Sequence, residues 1–253
     1  MTDFMQVRRY RPADREAVHR IAGDTAFFGQ PIETYLDDRQ HFLDLFVAYY
    51  TDYAPGYVWV AEAEGQVVGY LTGCPDTLRQ RRTLWRRLLP RVLLRLLCGR
   101  YRMARKTWRY IGRLVLAARR GEFPSADPTV YPAHLHINVS AGWRGRGLGE
   151  RLMTAYLAQL RTEGVAGVHL ETTTLNTAAV RLYRSQGFEL LEARRTRLWE
   201  GLIAEPVKNL LFGRRLTSET RRHGDKEPGR PHPLLVTPSP PPLVSNRPGV
   251  RRR

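Results

Sequence analysis

The stretch Ile137-Asn138-Val139-Ser140-Ala141-Gly142-Trp143-Arg144-Gly145-Arg146-Gly147-Leu148-Gly149 runs an apolar segment into a turn, and an amphipathic segment follows. The turn holds Gly145, Gly147 and Gly149 together with Arg144 and Arg146. A helix start leaves backbone N–H groups unpaired, and the helix dipole favours negative charge there. Glycines let a diphosphate approach those groups, and arginines pair with phosphate. A plain tight turn needs no such combination. The spacing is not G-x-G-x-x-G, because Glu150 stands where the third glycine belongs, and no Gly-Lys-Ser/Thr follows to make a P-loop. It is R-x-x-G-x-G, carried by Arg144, Gly147 and Gly149.

A second segment lies one strand further on. Asn176 suits a helix cap, and Tyr183, seven residues later, shares its helical face. Gly187 ends that helix and Phe188 opens the next strand. Read from the residues alone, Tyr183 is a core tyrosine or a functional phenol.

R-x-x-G-x-G and N-x₆-Y-x₃-G-F, separated by one helix and one strand, resemble the GNAT superfamily of N-acetyltransferases. The likeness covers roughly residues 5–200 in element order. It implies acetyl-CoA as acyl donor, held where two parallel strands, Ala133–Ser140 and Val168–Thr173, splay apart. It implies that the backbone of Ile137 and Val139 pairs with the pantetheine arm. The N–H groups of Arg144, Gly145, Arg146, Gly147, Leu148 and Gly149 would hold the pyrophosphate. Asn176 would contact the cofactor near the thioester, and Tyr183 would protonate the departing thiolate. No metal is implied. Direct attack by a neutral amine needs orientation, a polarised carbonyl and a proton for sulfur.

The base is less defined. The positions where several relatives carry Glu or His fall near Ala133 and Leu135, which cannot titrate. His134 and His136 lie one residue off, which reverses the side-chain face unless a β-bulge intervenes. His136 and Glu171 are the candidates, beside a water chain; a structural or surface role competes for either histidine. A narrower likeness rests on Tyr49–Tyr53, Val67–Gly73, Asp76-Thr77 and a long insertion before Leu135-His136-Ile137. It is to the acetyltransferase-like domain of O-GlcNAcases and its bacterial relatives. A second reading therefore stays beside the enzyme: a catalytically degenerate module that binds a protein or an anionic partner.

The elements that must position these residues alternate. Strands are expected at Met5–Tyr10, Tyr57–Ala61, Gln66–Thr72, Ala133–Ser140, Val168–Thr173, Phe188–Ala193 and Thr196–Leu202. Helices are expected at Ala13–Ala22, Ile32–Tyr50, Gly147–Glu163 and Thr177–Gln186. The fold class is α/β (α+β): a mixed central sheet with helices on both faces and a helical insertion between strands 3 and 4. The domain spans 1–212, with a basic insertion at 78–125 and a Pro/Arg-rich disordered tail at 213–253.

The 253 residues, 42 % hydrophobic and 26 % charged, suit one large domain with appendages. Cys74 and Cys98 are too few for a disulfide scaffold or a four-cysteine zinc site, and suit a reducing, cytoplasmic setting. The charged first twenty residues hold no apolar leader core, and no charge-free run reaches the roughly 20 residues of a membrane span.

The net charge of +17 is concentrated in two places. Leu78 to Arg120 carries fifteen Lys/Arg and no acid; Gly213 to Arg253 carries ten basic and three acidic residues. The body between them is mildly acidic, so the whole chain does not read as nucleic-acid-binding from its pI. In the insertion, Leu84, Leu88, Val92 and Leu96 form one i+4 row, and Trp85, Leu89, Leu93 and Leu97 the adjacent one; Pro90 marks a kink or a new helix. The leading expectation is a lid with its apolar face packed on the sheet and its arginines in water. Attraction of an acidic ligand over the cleft, or docking of 78–120 on nucleic acid or an anionic membrane, are less favoured. The resemblance implies a small-molecule or peptide amine as acceptor, and the oligomeric state is open.

Overall fold

The computed structural model describes residues 5–216. Strand β1 (Met5–Arg9) leads through a single turn begun by Pro12 into α1 (Arg15–Thr25). A broken helical stretch follows. It comprises the short turn Ile32–Thr34, α2 (Arg39–Phe42), and π-type turns at Leu43–Val47 and Tyr49–Tyr53. The continuous helix expected over Ile32–Tyr50 is thus replaced by short pieces. Their side chains part company: Ile32, Tyr35 and Leu36 enter one apolar cluster, while Leu43, Val47, Tyr49 and Tyr50 enter another.

The hairpin β2 (Val58–Ala63) and β3 (Gln66–Cys74) precedes the insertion, which folds as α3 (Thr77–Thr83), a π-type turn Leu84–Leu88, α4 (Leu89–Leu97) and α5 (Arg105–Arg119). Pro90 is the second residue of α4, where the π-type turn Leu84–Leu88 passes directly into the α-helix. Then come β4 (Ala133–Val139), α6 (Leu148–Thr162), β5 (Gly167–Thr173), α7 (Thr177–Ser185), β6 (Glu189–Thr196) and β7 (Val207–Arg215). The seven strands form one mixed sheet in the order β1-β2-β3-β4-β5-β7-β6. All neighbours are antiparallel except β4 and β5.

Each face of the sheet has its own core. On one, Leu148, Leu152, Met153, Tyr156, Leu157 and Leu160 of α6 pack on Leu71, Leu135, Val168 and Phe212. On the other, Val18 and Ile21 of α1 meet Tyr49, Tyr50, Val60 and Tyr70. Gly73 of β3 is a close-approach site: a Cβ there would overlap the Tyr156 ring, whose hydroxyl donates to the His134 carbonyl at 3.1 Å.

Three further sequence expectations are corrected. Thr196–Leu202 is not a strand: Leu198 and Trp199 both turn into a third cluster with Phe27, Tyr35 and Ala117, which strand alternation would forbid. Gly213 does not end the ordered pattern, because β7 runs to Arg215 and Leu216 N–H donates to the Ala166 carbonyl at 2.9 Å. Glycine stands at 213 because a Cβ would lie 2.8 Å from the Tyr131 ring. The remainder of the 213–253 tail lies outside the described residues. Finally, the insertion buries only one of its two apolar rows: Leu88 and Val92 are inside, whereas Trp85, Leu93 and Leu97 face solvent.

Candidate functional site

Strands β4 and β5 pair only at Ala133–Val168 and His134–His169. Beyond those residues they diverge. Which backbone groups face the gap follows from the ladder on the other side of β4. In antiparallel pairs the hydrogen bonds fall on alternate residues. Ser140 N–H donates to the Val68 carbonyl at 2.9 Å, and the register from His134 to Val139 runs without a shift. The amides of His134, His136 and Asn138 therefore bond to β3. Those of Ile137 and Val139 point away from β3, towards the gap.

At the mouth of the gap the chain makes the turn Ala141–Trp143 and starts α6. Gly145 and Gly147 take left-handed φ of 76° and 75°, with open space where a Cβ would sit. Gly147 is the N-cap residue and gives no side-chain cap, so no N-cap side chain takes up the first N–H groups of α6. Gly149 has a different reason: a Cβ there would meet Leu182 of α7 at 3.1 Å, so it lets the two helices close up. Leu148 is buried and offers the site only its N–H. Arg144 Nε donates to the Val139 carbonyl at 3.0 Å, while the Arg146 guanidinium lies over the Trp143 ring at 4.6 Å. Gly29, at φ 89°, approaches the Arg144 guanidinium and brings the end of α1 against this turn.

Asn176 stands at the N-cap of α7, but its side chain does not make the expected capping bond; its amide stays exposed. Tyr183 is buried in the α6-side core near Phe188 and Phe212. Burial pushes its phenol up to about 12, so it is protonated at neutral pH.

His134, His136 and His169 line the opposite face of the sheet. The β-bulge that would turn His136 towards the α6 side is absent, and Ala133 and Leu135 are the residues buried there. His134 is fully engaged, and its tautomer follows from its partners. Thr77 Oγ1 gives its proton to the Pro132 carbonyl at 2.8 Å, so it accepts from His134 Nδ1 at 2.7 Å. The Tyr50 hydroxyl then donates to Nε2 at 2.8 Å and itself accepts from Gln80 at 3.0 Å. Burial, with His136 and His169 beside it, holds this ring neutral. His134 is a structural histidine.

His136 and Glu171 each lie two residues beyond the last β4–β5 pair, on the same face, one on each diverging strand. Both open to solvent through the cleft, yet protein crowds their other sides. That crowding, with His169 adding to it, lowers His136 to about 4, and crowding alone raises the Glu171 carboxyl above its usual value. Tyr183 belongs to the other face, so acid and base candidates would meet only across the gap.

Sequence reading missed the support around this centre. The Gln80–Tyr50–His134–Thr77 chain comes from three separate elements and has no local signature. His169 was findable: it alternates with Glu171 on β5 as His134 does with His136 on β4. Aromatic rings of Phe27, Phe28, Tyr35, Tyr110 and Trp199 pack together near the end of α1, mostly tilted or edge to face, with centroids 4.6–5.9 Å apart. Among the described residues no group of His, Cys, Asp or Glu side chains is arranged to hold a metal ion.

Residues 17–188 match the model of the Acetyltransferase (GNAT) family. The solved structure of SsHAT is similar at 33 % identity and TM-score 0.63, over 85 % of this chain and 99 % of that one. The structure of yncA from Salmonella typhimurium, solved with its cofactor acetyl-CoA, has the same fold at TM-score 0.51 and 17 % identity, over 85 % of this chain and 96 % of that one. Among named relatives, N-alpha-acetyltransferase RimI of Mycobacterium tuberculosis is 40 % identical over 84 residues, which is 33 % of this chain and 51 % of that protein. Mycothiol acetyltransferase of Nocardiopsis dassonvillei is 46 % identical over 54 residues, 21 % of this chain and 16 % of that protein. The chain thus spans about half of the one relative and less than a fifth of the other.

Proposed function

The chain belongs to the acetyltransferase (GNAT) family, and from that premise we propose that it transfers an acetyl or other small acyl group from acetyl-CoA to a primary amine of a small-molecule or peptide acceptor. The observation that carries this reading is the wedge between β4 and β5, with the Ile137 and Val139 amides turned into it and the glycine turn at its mouth.

Those amides suit an extended pantetheine arm, which offers amide groups in return. The N–H groups from Arg144 to Gly149 suit the pyrophosphate, with the α6 dipole and the charges of Arg144 and Arg146 behind them. The exposed amide of Asn176 suits a contact near the thioester. Bound acetyl-CoA supplies an activated acyl group. The chain's residues orient the amine, take its proton and assist the leaving sulfur. Glu171 is the better base of the two candidates, because its proton affinity is shifted towards neutral pH and that of His136 away from it. His136 is a neutral polar wall beside it. Tyr183, protonated across the physiological range, donates its O–H to sulfur as charge develops there.

Calorimetric titration of acetyl-CoA tests the reading. Parent protein and Tyr183→Phe should bind alike, Arg144→Glu should bind at least tenfold more weakly with an unchanged melting curve, and only Tyr183→Phe should bind fully yet fail in an amine screen. Well-folded parent protein that ignores millimolar acetyl-CoA would overturn it in favour of a degenerate binding module.

A further inference from the structure

The acyl-transfer reading leaves one large feature without a role. Eight of the twelve large apolar side chains exposed among the described residues lie between Leu78 and Leu116. The stretch from Leu78 to Arg120 also holds fifteen Lys/Arg and no acid. Within it, the helical run 77–97 divides cleanly. Leu88 is packed into the α1-side core, with Leu84 against it, and Val92 is buried. In the adjacent row only Leu89 is half-buried: Trp85 is 66 % exposed and Leu97 85 %, with Leu93 also exposed and Leu94 alongside at 62 %.

The arginines divide as well. Arg95 pairs with Asp44, and Arg91 donates to the Tyr53 hydroxyl, so these two hold the run to the body. Arg81, Arg82, Arg86 and Arg87 make no ion pair in the described structure, and the last three line a cavity of about 370 Å³ together with Arg79. Water alone would reward the arginines and penalise the Trp85–Leu97 row. Nucleic acid would take up the charge and leave the leucines wet. A surface that is anionic at its boundary and apolar just beneath satisfies both at once.

We propose that residues 77–97 seat this protein on the surface of an anionic lipid bilayer. Trp85, Leu93 and Leu97 enter the boundary between headgroups and acyl chains, and Arg81, Arg82, Arg86 and Arg87 pair with lipid phosphates. No helix among the described residues is long and apolar enough to cross a membrane, so the run lies in the interface plane. The proposal does not depend on the acyl-transfer reading.

The test is co-sedimentation of the full chain with phosphatidylcholine vesicles and with vesicles containing about a third phosphatidylglycerol, at physiological salt. Parent protein should partition at least tenfold more strongly to the anionic vesicles. Replacing Trp85, Leu93 and Leu97 together by Ser leaves every charge in place. That variant should lose at least tenfold in partition while keeping the parent's melting curve and acetyl-CoA affinity. Equal partition of variant and parent would assign the binding to charge alone, the C-terminal arginines included, and overturn the proposal. So would tighter binding of both to an RNA duplex than to the vesicles. A second readout needs no variant: brominated acyl chains should quench tryptophan emission of bound parent protein, and unquenched emission from a bound sample would overturn insertion.

Discussion

Glu171 and His136 occupy matching steps on diverging strands, yet their surroundings move their proton affinities in opposite directions. Glu171 acts as base only when ionised. The rate should therefore rise with pH through a value above the ordinary 4.5 of a glutamate, and Glu171→Gln should remove that limb and cost about a hundredfold in kcat/KM. His136, lowered to about 4, is already neutral above pH 5, so His136→Ala should leave the limb where it is. A raised carboxyl pKa means that folding disfavours the ionised form; its contribution to stability is lost as pH rises through the folded value. Glu171→Gln should then leave neutral-pH stability unchanged or slightly higher, which separates a catalytic loss from a folding one. A limb that survives in Glu171→Gln and vanishes in His136→Ala would exchange the two roles. At this scale the sequence was informative where chemistry is written locally. The R-x-x-G-x-G turn and Asn176–Tyr183 needed no tertiary knowledge. The base did not show itself, because which of His134, His136 and Glu171 is free depends on Tyr50 and Thr77, at 84 and 57 residues from His134.

Between residues and molecule, two glycines show how an element's surroundings decide the sign of one substitution. Gly73 lies where β3 passes under Tyr156, and that ring is pinned by its bond to the His134 carbonyl. Gly73→Ala should destabilise by about 2 kcal/mol through overpacking, lowering the urea midpoint without changing the slope. Gly112 lies in exposed α5 with nothing near its missing Cβ, and Gly112→Ala should stabilise by about 0.5–1 kcal/mol. If both shifts had the same sign, the close approach at β3 would be wrong. The same contrast explains which elements were legible. Helix α6 and strand β5 bury one clean face and read correctly. The stretch 32–53 serves two cores in turn and cannot keep one periodicity, and 196–202 looks β-like in composition while Leu198 and Trp199 both turn into the aromatic cluster.

For the whole molecule, the sheet is two ribbons, β1–β4 and β5–β7–β6, joined through the two residue pairs Ala133–Val168 and His134–His169. Charge segregation was visible in composition; this division was not, because nothing local marks where parallel strands part. A ligand seated in the wedge bonds the edge of the first ribbon and packs on the second, so its binding energy becomes folding energy. At a hundredfold excess over Kd it should add about 2.7 kcal/mol. For a domain of this size that is a rise in melting temperature of roughly 5–10 °C. Hydrogen exchange locates the same event. Amides of His136 and Asn138 bond to β3 and should exchange slowly with or without acetyl-CoA, whereas those of Ile137 and Val139 face the gap and should exchange fast until acetyl-CoA is added. This alternation has a period of two along a single strand, which nonspecific stabilisation cannot imitate: general tightening would slow all four amides together. Slow exchange at Ile137 and Val139 without ligand would mean that the strands do not part where the wedge requires, and the acetyl-CoA site would have to be sought elsewhere.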